Sequence, residues 1–202
     1  MNVEPVRLKN SISELDHKVG PDNAPVTLLE YGNFECIDCG QLFPIIKQVR
    51  KLVGDNLRFV FRHFPTVKTH PHALRAATAA EAAGLQRKFW EMHDTLFMHQ
   101  TALEDPHLWN YARRIGLDIE QFGRDMSDAT LVQQIEANYD RSLFDEHITG
   151  TPTIYINNIR YSGARDLESL LNGIRGADPE HRIPSPEKLR GLGSLLNRLK
   201  RH

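Results

Sequence analysis

Only two cysteines occur in this chain of 202 residues, so a framework of several disulfides is excluded as the source of its stability. A chain of this length buries a core without such cross-links, as one domain or as one domain with a large insertion. No apolar segment of 18 residues occurs in it, and we therefore expect no membrane-spanning helix. The formal net charge is only -1, which argues against nucleic acid as a partner.

The first twenty residues, MNVEPVRLKNSISELDHKVG, lack the features of a secretory signal. They have no basic start, apolar run and small-residue cleavage site in succession. If Met1 is the native start, the sequence predicts a cytoplasmic protein, and if a signal peptide has been removed it predicts a periplasmic one. Thiols stay reduced in the cytoplasm, so the two cysteines there favour a catalytic or metal-binding role over a structural disulfide.

Hydrophobic periodicity predicts an α/β protein. Strands are predicted at 25–31 and 57–64, with a helix over 41–53 between them. Five amphipathic segments between residues 70 and 147 predict an all-helical insertion, in which Asp105 caps one helix and Pro106 opens it.

The last third of the chain returns to strands. Segments 151–158 and 159–163 read as two strands joined by a hairpin turn at Asn157-Asn158, and 166–174 reads as a helix. The predicted divisions are an N-terminal segment (1–24), the first half of the main domain (25–65), a helical insertion (66–147), the second half (148–176) and a tail (177–202).

The two cysteines, Cys36 and Cys39, have Cys-x-x-Cys spacing and follow the first predicted strand. A helix that begins there stabilises a thiolate through its free N–H groups and its dipole. The spacing places Cys39 one helical turn from Cys36, so the pair is predicted to form a disulfide. Cys36, at the exposed tip, is the predicted nucleophile, and Cys39 would resolve a mixed disulfide. This placement is typical of a redox pair.

Two other interpretations of the cysteines remain. A zinc site would need two further ligands, and of the ten histidines only His93 and His99 have a suitable interval, on a predicted amphipathic helix. Inert core thiols are the other alternative. The position between a strand and a helix favours the redox pair over both.

Several segments resemble one family. LEYGNFECIDC resembles the active-site segment of DsbA-like thiol-disulfide oxidoreductases in the thioredoxin superfamily, and DHKVGPDNAPVTLLEYGNFEC resembles its thioredoxin-like domain 4 branch. Gly-Thr-Pro-Thr at 150–153 resembles the family's cis-proline loop. The resemblance extends from residue 15 to residue 175. It implies a thioredoxin fold, an α/β fold with a mixed central sheet, with an all-helical subdomain inserted between the second and third strands.

The resemblance also implies roles for five residues: Cys36, Cys39, Glu30, Thr151 and Pro152. A cis bond between Thr151 and Pro152 would expose the Thr151 backbone beside the sulfurs, where an extended substrate could pair with it. The Thr151 hydroxyl would donate to a thiolate. Glu30, six positions before Cys36, would accept the proton of Cys39 if it is buried. The alternatives are an ordinary strand start at 151–153 and a solvent-facing Glu30.

The expected activity is that of a dithiol–disulfide oxidoreductase that reduces, forms or isomerises disulfides without a cofactor or a metal. Its expected partners are protein or small-thiol disulfides and an unidentified redox-recycling protein. The alternatives are a redox-inactive or metal-binding thioredoxin-like module and a glutathione-dependent transferase or isomerase. The glutathione-dependent alternative is disfavoured, because such relatives usually have serine where Cys36 stands.

The dipeptide between the cysteines, Ile37-Asp38, departs from the resemblance, since relatives more often carry proline with an aromatic residue or histidine. The carboxylate of Asp38 opposes a thiolate at Cys36. At ~6 Å and an effective dielectric of ~20, a like charge costs up to about 3 kcal/mol, and much less where it is exposed. We therefore predict a higher Cys36 pKa and a less oxidising disulfide than in the strongly oxidising relatives.

Other polar and aromatic residues have simpler interpretations. His63, His70 and His72 are expected to be solvated or to cap helices rather than to bind metal. Six aromatic residues of the insertion are expected in the core, although the sequence does not exclude that one or two line a groove near Cys36: Phe89, Trp90, Phe97, Trp109, Tyr111 and Phe122. The basic, leucine-rich tail is expected to pack on its own domain or a second subunit rather than on an acidic membrane surface.

Overall fold

A computed structural model describes residues 4–185 and 187–188 of the protein. The predicted amphipathic segment of the tail, from Leu189 onward, lies outside these residues. Within the described part of the chain, no helix has the combination of length and apolar character that crossing a bilayer requires.

Five strands form one sheet among the described residues. They are β1 (His17–Val19), β2 (Val26–Gly32), β3 (Leu57–His63), β4 (Thr153–Ile156) and β5 (Ile159–Arg160). Their order across the sheet is β1-β3-β2-β4-β5. The four predicted strands are therefore confirmed, and β2 is buried along its whole length. Strand β1 was not predicted, because three half-buried residues give no alternation to detect; it pairs antiparallel with β3.

Seven α-helices accompany the sheet in the described residues. They are α1 (Ile37–Val53), α2 (Ala73–Leu85), α3 (Phe89–Met98), α4 (Asp105–Arg114), α5 (Ile119–Met126), α6 (Ala129–Phe144) and α7 (Leu167–Gly176). The five predicted helices between β3 and β4 are thus confirmed as α2–α6. Helix α1 begins four residues before its predicted start. Its first turn presents Ile37 and Asp38 to solvent, so the apolar period becomes visible only further along the helix.

Helix α2 packs against α3, α4, α5 and α6. Its buried positions are mostly alanines, and such small side chains allow neighbouring helices to approach closely. Of the six aromatic residues expected in the core, Phe89, Phe97, Tyr111 and Phe122 are buried, whereas Trp90 and Trp109 are half-buried.

The predicted cap of α4 is wrong by one residue. Glu104 occupies the N-cap position without a side-chain hydrogen bond, and Pro106 is the second helical residue. Asp105 instead accepts two hydrogen bonds from Arg75, at 2.7 and 2.8 Å. These bonds hold the pKa of Asp105 below its usual value. The Asp105 carboxylate, which the sequence pattern assigns to helix capping, therefore forms an ion pair with Arg75 of α2 instead.

The hairpin between β4 and β5 forms at Asn157-Asn158 as predicted. Both residues have positive φ, 45° and 66°, which is the backbone that a two-residue hairpin turn favours and asparagine tolerates. The side chain of Asn157 also makes three bonds: it accepts from Thr27 N at 2.8 Å and donates to Pro25 O at 3.2 Å and Ala177 O at 2.9 Å.

Replacing Asn157 by alanine is expected to lower the free energy of unfolding by about 2–4 kcal/mol, because three partners lose a hydrogen bond and alanine disfavours positive φ. Asn158→Gly is the matched control. Asn158 is exposed and glycine accepts its backbone angles, so a change within about 0.5 kcal/mol is expected. Urea unfolding measures both. Equal losses in the two variants would contradict the role given to the Asn157 side chain.

The described residues form two compact units. The first contains residues 4–30, 42–61, 153–185 and 187–188, and the second contains 31–41 and 62–152. Both cysteines, the turn that precedes them and Thr151-Pro152 belong to the second unit.

Candidate active site

A tight turn precedes the two cysteines. Asn33 builds it, since its Oδ1 accepts from the N–H of Glu35 at 2.9 Å and its carbonyl accepts from the N–H of Cys36 at 3.1 Å. Its Nδ2 donates to Oγ1 of Thr66 at 3.1 Å. Cys36 is thereby placed directly before α1, and Cys39 falls in the first turn of that helix.

Two further side chains connect this turn to distant parts of the second unit. Glu35 accepts from the backbone N–H of His72 at 2.7 Å. Gln100 donates from Nε2 to the carbonyls of Phe34 and Cys36, at 2.7 and 2.8 Å. Sequence reasoning missed Asn33, Glu35 and Gln100. Glu35 and Gln100 bond to partners 37 to 66 positions away, which no local pattern signals. Asn33 did have a local signal, since its side chain accepts from the N–H of Glu35 two positions on, as asparagine often does in a turn.

The two sulfurs differ in exposure, but less than expected. Cys36 is 7% exposed and Cys39 is fully buried. The prediction that Cys36 stands at an exposed tip is therefore wrong, since the turn exposes Ile37 and Asp38 instead. The relative order holds, because Cys39 has no exposed surface and Cys36 retains a little.

The surroundings of Cys36 favour its thiolate. Its pKa is lowered from 9.0 to about 5, and the largest cause is the hydrogen bond from the Cys39 thiol. Burial opposes this change. Thr151 and the backbone N–H groups of Cys39 and Asp38 lower the pKa further. Asp38 thus contributes a favourable N–H at the helix N-terminus, while its carboxylate lies in an exposed side chain where water screens it.

Thr151 lies against the nucleophile. Sγ of Cys36 is 3.4 Å from the carbonyl oxygen of Thr151 and, when protonated, donates to it. The Thr151–Pro152 peptide bond is cis. Thr151 is half-buried and Pro152 is buried. The structure therefore brings together Cys36, Cys39 and Thr151, with Pro152 next in the chain.

Thr151→Val is expected to raise the pKa of Cys36 from about 5. Valine keeps the branched shape but loses the hydroxyl that favours the thiolate, so the new pKa should lie at about 6. The pH dependence of thiolate absorbance in the reduced protein measures it. Thr151→Ser retains a hydroxyl and should titrate close to the unchanged protein. A valine variant that titrates like the serine variant would count against a role for the hydroxyl.

Glu30 is the remaining predicted site residue. It lies in β2 and is 3% exposed, so the solvent-facing alternative does not apply. Its role as the proton acceptor of Cys39 stays a prediction.

Among the histidines near the turn, only His63 departs clearly from the expected solvated or capping position, since His70 and His72 are half-buried. His63 is buried, and its Nε2 lies 3.1 Å from Oε1 of Glu81. His72 stands at the N-cap position of α2 but makes no side-chain cap bond. His70 Nδ1 lies 2.8 Å from Oγ1 of Thr66, within the polar contacts that continue from Asn33. The pairing of His63 with Glu81, which has no local sequence signal, explains why its burial was not predicted.

The ring of Phe34 anchors the turn by packing. It is 1% exposed and makes edge-to-face contacts with the rings of His63, His93 and Phe97, at centroid distances of 5.5, 5.7 and 4.9 Å. Such contacts between rings add to the apolar burial of each one. The backbone two residues before Cys36 is therefore fixed by packing as well as by hydrogen bonds.

Comparisons with known proteins agree with the fold. The family model described as Thioredoxin (Thioredoxin_4) matches residues 13–175. Among solved structures, alpha-DsbA1 of Wolbachia pipientis has a TM-score of 0.73 at 18% identity, over 84% of this chain and 94% of that one. Oxidised BdbD of Bacillus subtilis has a TM-score of 0.68 at 24% identity, over 79% and 91%.

A curated relative is more similar in sequence but much longer. The protein named Na(+)/H(+) antiporter NhaA 1 of Salinispora arenicola (strain CNS-205) is 40% identical over 186 residues. The match covers 89% of this chain and 28% of that protein. The chain therefore spans little more than a quarter of the length of this relative.

Fold and site together define a thioredoxin-fold protein of the DsbA-like layout. Its helical insertion, α2–α6, lies between β3, the strand that follows the cysteines and α1, and the Thr151-Pro152 loop that leads into β4. The predicted fold class is confirmed. The chain belongs to the thioredoxin family that the matching model describes.

Proposed function

We propose that the protein is a dithiol–disulfide oxidoreductase that uses Cys36 as nucleophile and Cys39 as resolving thiol. One observation carries this proposal: Cys36 stands at the N-terminus of α1 beside Cys39, with its pKa lowered to about 5. At neutral pH such a thiol is almost wholly ionised, and the thiolate is the form that attacks a disulfide.

The reaction consists of two exchanges. The Cys36 thiolate attacks one sulfur of a substrate disulfide, the substrate S–S bond breaks, and the departing substrate thiolate takes up a proton. Cys39, once deprotonated, then attacks the Cys36 sulfur and releases the second substrate thiol. The substrate gains two electrons and two protons, and the protein is left with a Cys36–Cys39 disulfide. The reverse sequence oxidises a substrate dithiol.

The neighbours of Cys36 suit these steps. The Thr151 backbone beside Sγ is available to pair with an extended substrate, which is the role proposed for Thr151 and Pro152. We include Glu30 as the proton acceptor for Cys39. Protein or small-thiol disulfides are the proposed substrates, and a second dithiol or disulfide protein would regenerate the starting state. The compartment sets the direction of the exchange: reduction or isomerisation of disulfides in the cytoplasm, and disulfide formation in the periplasm.

The pKa also bears on how oxidising the pair is. A value of about 5 lies between those typical of the strongly oxidising DsbA, ~3.5, and of thioredoxin, ~7. A less stabilised thiolate makes a weaker oxidant. This supports the prediction of a less oxidising disulfide than in the strongest oxidants of the family.

The test follows both partners of the exchange by intact mass. Reduced protein is mixed with a peptide that contains one disulfide, and oxidised protein with the same peptide in its dithiol form. We expect the protein to lose two hydrogens as the peptide gains two, and the converse in the second mixture. Masses that stay unchanged in both mixtures would contradict the proposal.

Metal analysis of the reduced protein separates the main rival function. A thioredoxin-like metal-binding module would retain zinc in stoichiometric amount through both sulfurs and would lose its thiol reactivity while loaded. We expect no retained zinc after purification in reductant, and full reactivity of Cys36 with an alkylating reagent.

A further inference from the structure

Gln100 lies just past the end of α3 and is held firmly in place. The adjoining His99 donates its N–H to Leu96 O at 3.1 Å, and its Nδ1 is 2.8 Å from Thr95 O. After Gln100, the N–H of Ala102 donates to His99 O at 2.9 Å. The segment that carries Gln100 is therefore fixed on both sides by backbone bonds.

From this position one carboxamide serves two backbone carbonyls. Nε2 of Gln100 donates to Phe34 O at 2.7 Å and to Cys36 O at 2.8 Å. An amide NH₂ group has two donors, so these bonds use both. Because a carbonyl cannot bond to Oε1, the two acceptors also fix which way the amide faces. Cys36 O additionally accepts the first helical bond of α1, from the N–H of Gly40 at 3.0 Å.

Gly40 supplies the space for this arrangement. A Cβ at position 40 would overlap Oε1 and Cδ of Gln100, and the three atoms nearest to that position all belong to Gln100. Glycine inside a helix costs about 1 kcal/mol relative to alanine. Its presence in the first turn of α1 therefore has a local cause, which is the close approach of the Gln100 amide.

We propose that Gln100 is a positioning residue for the redox centre: by holding the carbonyls of Phe34 and Cys36, it fixes the orientation in which the N–H groups of α1 meet the Cys36 sulfur. The inference rests on the proposed dithiol chemistry and extends it to a residue 64 positions away in the chain. The peptide that follows Cys36 cannot rotate while its carbonyl is held by Gln100 and Gly40. The N–H groups of Asp38 and Cys39, which lower the pKa of Cys36, then stay directed at its sulfur.

Gln100→Met and Gln100→Glu test the two donors. Methionine keeps the length of the side chain but donates nothing, and glutamate turns a second acceptor toward the carbonyls. Thiolate absorbance of the reduced protein is followed against pH. We expect the thiolate fraction below the pKa to fall roughly 3–10-fold with methionine and further with glutamate. Unfolding in urea is measured in parallel. A lower unfolding midpoint with an unchanged Cys36 titration would show a merely structural role and overturn the proposal.

Gly40→Ala provides an independent test, alone and combined with Gln100→Ala. Alone, its methyl group displaces the amide, so the thiolate fraction should fall as it does for Gln100→Met, and the unfolding midpoint should fall too. In the Gln100→Ala background the obstacle is gone, and Gly40→Ala should leave the titration unchanged and raise the midpoint. Additive effects of the two substitutions would overturn the proposal, and this comparison remains decisive if Gln100→Met fails to fold.

Failure of the proposed function has a different signature. If the unchanged protein titrates near 9.0 and exchanges with no disulfide peptide, the dithiol chemistry itself is wrong. If it titrates near 5 and exchanges normally while all Gln100 and Gly40 variants match it, only the role of Gln100 is wrong.

Discussion

Cys36→Ser is expected to reduce disulfide exchange to the rate of the buffer alone. Serine occupies the same place before α1, but a hydroxyl neither ionises at neutral pH nor forms a stable bond to sulfur. Cys39→Ser is the matched variant. Cys36 still attacks a substrate disulfide in it, but the mixed disulfide persists because no second thiol is present to resolve it.

Mixing each variant with a disulfide-containing peptide and separating the products without reductant measures both effects. The Cys39→Ser protein should accumulate one covalent adduct per chain, which dithiothreitol removes, and the Cys36→Ser protein should form none. Far-ultraviolet circular dichroism of the two variants controls for folding. Adducts in the Cys36→Ser protein and none in the Cys39→Ser protein would reverse the roles assigned to the two sulfurs.

Cys39→Ala is expected to have the largest effect on the ionisation of Cys36. The hydrogen bond from Cys39 is the first cause of the lowered pKa, and alanine removes the donor. The pKa of Cys36 should rise from about 5 to roughly 6–7. Cys39→Ser keeps a donor at the same place and should stay nearer the original value. The rate of iodoacetamide alkylation against pH reports the pKa in both, since each has a single thiol. Identical profiles for alanine and serine would contradict the role of this bond.

The same pKa makes the stability of the reduced protein depend on pH. The Cys36 thiol ionises at about 5 in the folded chain and near 9.0 when its environment is lost. The thiolate therefore stabilises the folded state fully when the pH lies above the pKa of the unfolded chain. This stabilisation declines as the pH falls between the two pKa values, and it is absent below the pKa of the folded chain. The oxidised protein has no such thiol and serves as the control.

Urea midpoints of the reduced and oxidised proteins compare the two thiols with their disulfide, because every titrating group other than Cys36 and Cys39 acts in both forms. The Cys39→Ser protein, which has Cys36 as its single thiol, shows whether the change belongs to Cys36. The midpoint of the reduced protein should move up relative to the oxidised one as the pH is raised from about 5 to about 9. A difference that stays constant over that interval would mean that the folded chain does not stabilise the thiolate.

The elements with a local signal were predictable from the sequence. Strand β2 is a continuous apolar run, α2–α6 keep a helical period, and the Asn157-Asn158 turn joins two strands at a pair of residues that tolerate positive φ. The cysteine pair was found because its spacing and its place before a helix are both local. In each case the residues that determine the element lie next to one another in the sequence.

The features that were missed depend on residues distant in sequence. Gln100 reaches the Phe34 and Cys36 carbonyls from the end of α3, and His63 pairs with Glu81 inside the second unit. No periodicity marks such contacts. Gly40 gave no signal either, because the predicted helix began at residue 41 and the structure alone places this glycine in the first turn of α1. The burial of Cys36 likewise depends on tertiary packing.

The most direct test of the central claim is the thiol count of the purified protein across a graded series of reduced and oxidised dithiothreitol. We predict that Cys36 and Cys39 appear and disappear together, reversibly, in one transition in which two electrons pass per chain. A count that stays constant across the series, or that changes only irreversibly, would contradict the claim that these two sulfurs form a redox pair.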